Sequence, residues 1–268
     1  MIHRQPAALE DIRPPAVAGM FYPGDAAELR RLVESCLEGK PTPACVSAKA
    51  YILPHAGYVY SGPVAGTGYR QLRAERDHVR RVVLLGPSHR VAFPGVAVSR
   101  YTGFATPLGV VPVDRLAIER LRDLPQVFES DRAHQREHSI EVHLPFLQVA
   151  LRDFQVVPLV VGDASEREVA EVLDRLWGGP ETRIIISSDL SHYHDYASAC
   201  RLDRETARRI EQLEPVSSEQ ACGAVPLDGL LHAARARGMI LRTLDLRNSG
   251  DTAGPRDQVV GYGAFAAV

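Results

Sequence analysis

The sequence predicts an α/β protein built on a mixed β-sheet. Short β-branched runs alternate with helical apolar patterns through the middle of the chain. Several of those runs are apolar at consecutive positions, as strands covered on both faces require. Two hairpin-like segments then favour a mixed sheet over a purely parallel one.

The elements follow in order. Arg13-Pro-Pro-Ala-Val-Ala-Gly-Met-Phe-Tyr-Pro-Gly is a turn-rich entry, after which Asp25 with Glu28 can form a capping box. Leu29, Leu32, Val33, Cys36 and Leu37 repeat at helical spacing, which makes Cys36 a core thiol. A strand is predicted over 50–53, a helix over 63–72 and a second strand over 81–85. Val96–Ser99 and Gly109–Val113 resemble hairpin strands, and 114–124 resembles a helix. Ile140, Leu144, Leu147 and Leu151 give an apolar face to a helix beyond Pro145. Gln155–Val161 reads as a strand, and Ser165 with Glu168 as a capping box ahead of Val169, Val172, Leu173 and Leu176. Arg183–Ser187 is a further buried strand, helical patterns run through Ile210 and Leu230, and strand-like stretches at 240–246 and 258–268 end the chain.

At 268 residues, with 45% hydrophobic and 24% charged residues, the chain has the composition of a folded protein of one or two domains. A net charge of −2 removes the basic excess that nonspecific nucleic-acid binding needs. No apolar run approaches the ~20 residues of a membrane span. The stretch Met1–Pro6 has no apolar core of a secretory leader. Cys36, Cys45, Cys200 and Cys222 form no C-x-x-C pair, which argues against a zinc knuckle and a disulfide framework. A reduced, cytoplasmic protein is expected. Lys40 and Lys49 are the only lysines, a compositional bias rather than a phosphate signal.

The polar residues fall in a pattern. Strand candidates run directly into polar clusters that hold His55, His89, then Asp189 with His192 and His194, and finally Asp251. In open α/β sheets, loops beyond the carboxyl ends of strands converge on ligand sites. Two imidazoles and a carboxylate meeting there would hold a divalent cation with open positions; iron, zinc, manganese and copper all suit such ligands. A histidine after a strand also serves as an ordinary hydrogen-bonding loop residue. In Glu137-His138-Ser-Ile-Glu141-Val-His143 the histidine spacing does not fit H-E-x-x-H. His138, Glu141 and His143 either line a pocket rim and orient its ligands, or are buried structural groups. Ser187-Ser188-Asp189 beside His192 resembles a serine hydrolase only superficially, because no G-x-S-x-G elbow exists. No Walker loop or G-x-G-x-x-G is present.

These segments resemble the Memo family, whose bacterial and archaeal members are called AmmeMemoRadiSam system protein B. The resemblance rests on Pro15-Ala-Val-Ala-Gly-Met-Phe-Tyr-Pro, Pro54-His-Ala-Gly-Tyr-Val-Tyr-Ser-Gly, Gly86-Pro-Ser-His, Glu137-His-Ser-Ile-Glu-Val-His-Leu-Pro, Ser187-Ser-Asp-Leu-Ser-His and Val260-Gly-Tyr-Gly-Ala. It implies a single domain over 1–268, three αβα layers around a mixed sheet, similar to class III extradiol dioxygenases. It further implies a non-haem iron(II) site, with His55 and His89 as metal ligands and His192 and Asp189 as catalytic pocket residues. Copper, manganese and zinc remain alternatives, and a small chelating molecule is the implied substrate. Pathway partners of radical SAM and AMMECR type are implied too. Eukaryotic relatives carry a cysteine before the final strand, whereas this chain reads Asn248-Ser-Gly-Asp-Thr-Ala-Gly. Asp251 is therefore expected as third ligand, a harder donor favouring iron or manganese over copper. A binding or signalling protein that keeps the pocket without the chemistry is the competing expectation.

Overall fold

Apolar β-branched runs occupy the middle of the sheet, and the rest of the chain is arranged to cover them. The computed structural model describes residues 11–39, 41–45 and 47–268; Met1–Pro6 and Lys40 lie outside the described residues. The chain opens with β1 (Ile12–Arg13), α1 (Ala26–Cys36), β2 (Ala50–Leu53), α2 (Tyr58–Arg73) and β3 (Arg81–Pro87). Next come β4 (Val96–Val98), β5 (Gly103–Thr106), β6 (Gly109–Pro112), α3 (Arg115–Glu119) and β7 (Val127–Glu129). Short helices α4 (Asp131–Gln135), α5 (His138–Glu141) and α6 (Leu144–Ala150) lead to β8 (Gln155–Val161), α7 (Glu166–Leu176) and β9 (Thr182–Ser187). The last elements are β10 (His192–His194), α8 (Tyr196–Glu211), α9 (Ala224–Ala236), β11 (Leu241–Asn248) and β12 (Val259–Ala267).

The main sheet runs β10-β12-β2-β9-β3-β8-β4-β7, with β11 also on β12. Its centre, β2-β9-β3-β8, is parallel, while β12 and β4 join it antiparallel. The sheet is thus mixed, as the sequence predicts. Helices α1, α2 and α6 pack on one another, with α2 against β2 and β12. Helices α7 and α9 pair with each other and α9 covers β3 and β9, while α8 covers β11 and β12. Every side chain of β2 and β9 is buried, the signature of strands covered on both faces.

Local chemistry explains the boundaries. Asp25 caps α1 by accepting the Glu28 N–H, and Ser165 with Glu168 closes a full capping box on α7. Helix α2 begins five residues before the predicted start, so Pro63 lies inside it. The Val59 carbonyl consequently loses its helical partner, and Val59 is exposed, so water can serve it. The predicted hairpin pairs differently: β5 and β6 form it, joined by a tight Thr106–Gly109 turn, while β4 inserts between β7 and β8. The helix expected over 114–124 stops at Glu119 and continues only as turns.

Arg13 staples the entry segment to the interior. Fully buried, it donates to the carbonyls of His134 and Glu137 at 2.7 Å each and to Glu141 at 2.5 Å. Glu141 also accepts the N–H groups of Ala16 and Val17 and the Tyr22 hydroxyl, so this buried charge is well bonded.

Candidate metal centre

Three neighbouring parallel strands end at one edge, and each delivers a polar residue two positions beyond its last member. His55 follows β2, Asp189 follows β9 and His89 follows β3. The His55 and His89 rings approach to 5.1 Å between centroids. Cys222, in the turn before α9, brings its Sγ to 3.3 Å from His55 Nε2. The ligating atoms of His55, His89 and Cys222 all lie within 4.8 Å of one another. Metal–nitrogen and metal–sulfur bonds place donors around one ion at mutual separations of roughly 3–4 Å. The trio is thus a candidate ligand set for a single transition-metal ion.

Hydrogen bonding fixes both rings in the ligating tautomer. Ser187 Oγ donates its only hydrogen to the Ser139 carbonyl at 2.6 Å. It must therefore accept from His55 Nδ1, also at 2.6 Å, which leaves the Nε2 lone pair free. His89 Nδ1 donates to Glu137 Oε1 at 2.9 Å, again freeing Nε2. Glu137 also takes the N–H groups of His89, His138 and Ser139. A bonded chain thus runs His55–Ser187–Ser139–Glu137–His89. His89, Glu137 and His138 also form a compact group of donors. Glu137 is already saturated with hydrogen bonds there, so this second group orients His89 rather than holding an ion of its own.

The electrostatics match neutral ligands. Burial, aided by the neighbouring imidazoles, drives the His55 pKa well below its usual value. Burial would raise Glu137, but hydrogen bonding and charge from His89 and the backbone N–H groups outweigh it and bring it to about 2. The Cys222 thiol is pushed up to about 12 by burial and by Asp189. A bound cation would reverse that, since metal coordination deprotonates a thiol. Asp189, raised to about 7 by burial, accepts the His55 N–H at 2.8 Å and points its own N–H at Cys222 Sγ at 3.3 Å.

The remaining predicted residues separate. His192 lines the same cavity as His55, His89 and Asp189. It sits on edge strand β10, whose register on β12 slips at Tyr193, a residue held at a left-handed φ of 61°. Asp251 does not join the trio. Its carboxylate accepts from the Tyr196 hydroxyl at 2.7 Å and the Asn248 N–H at 3.1 Å, closing a capping box around the Ser249–Asp251 turn. The third group beside the two imidazoles is Cys222, supplied by the turn between α8 and α9 rather than by the segment before β12. His138 lines the cavity, with its ring 4.6 Å from that of His89. Glu141 and His143 are structural: Glu141 anchors Arg13, and buried His143 bonds the Tyr69 hydroxyl at 2.7 Å. Sequence reasoning missed Cys222 and the orienting roles of Ser187 and Glu137. The available signal was a cysteine followed by glycine at a helix start.

The centre opens into a cavity of about 1070 Å³, with Phe21, Tyr60, Tyr193 and Tyr262 among its walls. Fold and site together define an αβα protein with a candidate metal centre at the carboxyl edge of a parallel sheet core. The Memo-like protein family model matches residues 13–266, and the chain belongs to that family. It is 37% identical to MEMO1 family proteins of Ignicoccus hospitalis and Aquifex aeolicus, in each case over 94% of this chain and 97% of the relative. A MEMO1 family protein of Nitrosopumilus maritimus is 33% identical over 95% of this chain and 98% of its own length. Among solved structures, an uncharacterized protein, JW3007 from Escherichia coli K12, shares the fold at a TM-score of 0.50 and 13% identity, covering 81% of this chain and 98% of that one.

Proposed function

We propose that His55 Nε2, His89 Nε2 and Cys222 Sγ hold a divalent metal, iron foremost, and that the loaded protein is an oxidoreductase of the extradiol dioxygenase type for a small chelating substrate. The observation that carries this is the pair of imidazoles whose Nδ1 hydrogens are both committed to acceptors, leaving two lone pairs beside one sulfur. The ion would supply Lewis acidity and redox capacity. His192, half-buried with its pKa lowered by burial, is neutral at pH 7 and able to accept a substrate hydroxyl proton. Asp189 holds the His55 loop and the Cys222 turn in register from one residue. The aromatic walls offer apolar surface to a ring-sized guest. With a thiolate as third donor, copper and zinc compete with iron more strongly than a carboxylate would allow. The exposed Tyr193 and half-exposed Tyr60 at the cavity favour, as second reading, a binding protein that uses this rim to hold its ligand.

The deciding experiment is metal analysis after anaerobic purification or loading. An equimolar ion is expected in the wild type, lost in His55→Ala, His89→Ala and Cys222→Ala, and kept in Asp251→Ala. Retention of the ion by the histidine variants would overturn the centre. With the ion in place, oxygen uptake on a panel of catechols separates turnover from binding, and His192→Ala should abolish turnover while keeping the ion.

A further inference from the structure

The large cavity extends beyond His55, His89 and Cys222, and its wall has a one-sided chemistry. The chain carries 31 arginines and lysines, yet among the described residues none of them lines this cavity. Arg90 and Arg256 adjoin wall residues in sequence without joining the wall, and Arg256 lies over the Tyr196 ring at 4.3 Å. Two carboxylates do line it, Asp189 and Glu219. Asp189 is buried and committed to the His55 N–H. Glu219 is exposed and has neither a hydrogen-bond nor an ion-pair partner among the described residues. It sits in the turn before α9, three residues ahead of Cys222. That turn is fixed: the Ser217 carbonyl accepts the Gln220 and Ala221 N–H groups at 3.0 and 3.1 Å. The Gln220 side chain ties it further, accepting the Ser217 N–H and donating to Thr206 Oγ1. Three residues span at most about 11 Å even when extended, so the Glu219 Cα stands within that reach of the Cys222 Cα.

We propose that the substrate is a chelating aromatic ring carrying a protonated amine on a short arm, with the ring at the metal and the ammonium at Glu219. The inference rests on the metal and substrate reading above and adds to it the charge of the arm. An ammonium group gives Glu219 the partner it lacks, through a charge-assisted hydrogen bond. Phe21, Tyr60, Tyr193 and Tyr262 complete the wall with aromatic rings, whose faces attract cations. A carboxylate or phosphate arm would meet no guanidinium or ammonium there and one like charge. The histidines do not reverse this balance, because burial holds His138 and His192 below their ordinary pKa and leaves them uncharged at neutral pH. The charge of a bound ion is answered at its own end, by the Cys222 sulfur and the ring oxygens.

Three catechols that differ only in the arm test the assignment: one bears ethylamine, one acetate and one a plain ethyl group. Binding is read by titration calorimetry on protein loaded with ferrous iron and kept anaerobic, so that no turnover intrudes. The amine is expected to bind at least about fivefold more tightly than the acid at pH 7, and added salt should narrow the gap. Glu219→Gln should bring the two within about twofold of each other at unchanged iron content, and Glu219→Lys should invert their order. Glu219 is exposed, so neither change threatens folding. Equal affinity of amine and acid in the wild type, or an undiminished preference in Glu219→Gln, overturns the inference and leaves the metal reading standing. A wild type that retains iron but binds none of the three, the neutral ethyl compound included, overturns the substrate reading and this inference with it. A wild type that retains no iron overturns the metal reading itself, so the failures are distinguishable.

Discussion

At the scale of single residues, the candidate centre depends on what stands behind His55 and His89. His89 is partly exposed, yet its ring cannot turn, because buried Glu137 receives both its Nδ1–H and its backbone N–H. Glu137→Gln keeps the size of the side chain and loses the charge. It should weaken metal retention by about 10–100-fold, the usual cost of an orienting carboxylate, as read by competition with a chelator. The same assay on Asp251→Asn should show wild-type retention, since that carboxylate serves a turn. His55 and His89 are readable from sequence because a strand end fixes where the next two residues lie. Ser187 and Glu137 are not, because their partners, Ser139 and His89, lie 48 residues away along the chain.

At the scale of elements, the cysteine turn shows why part of the site is invisible in sequence. Cys222 follows α8 and precedes α9, and nothing local says that this turn returns to the end of β9. What allows it is Gly223. A Cβ there would stand 2.5 Å from the Ser187 carbonyl oxygen and 2.7 Å from Ser188 Cβ. The Gly223 N–H meanwhile donates to Ser188 Oγ at 2.9 Å. Gly223→Ala should therefore push the turn off β9, and we expect metal retention to fall with only a modest drop in melting temperature; equal retention would remove the turn from the account. The same logic explains the Asp251 assignment. A carboxylate just past a strand looks like a ligand, but Asn248 captures it locally before it can reach the sheet edge. Apolar runs such as β2, β3, β8 and β9 were legible almost to the residue, since burial on both faces leaves them no other role. The short hairpin was not, because β4 and β6 offer similar runs and only the Thr106–Gly109 turn selects the pairing.

At the scale of the whole molecule, buried neutral histidines tie stability to pH. His143 and His134 are each 1% exposed, and burial lowers them to about 3 and about 4. Unfolded, both titrate near 6.5. Their folded pKa values are lower, so the unfolded chain binds more protons. Stability is complete above about pH 6.5 and falls as the pH drops toward 4 and then 3, by about 1.4 kcal/mol per pH unit per ring. Urea midpoints of the metal-free protein should decline between about pH 6.5 and about pH 4.5. His143→Gln should flatten that decline, and an unaltered slope would show that the ring does not titrate on unfolding. Among the described residues, no helix is long and apolar enough to cross a membrane. The bonded path from His55 through Ser187, Ser139 and Glu137 to His89 has a last consequence. It makes the pair of rings one preassembled jaw, braced before any ion arrives. Loading should consequently leave the backbone in place and register mainly as a higher melting temperature, because the reorganisation that usually taxes metal capture was completed when the chain folded.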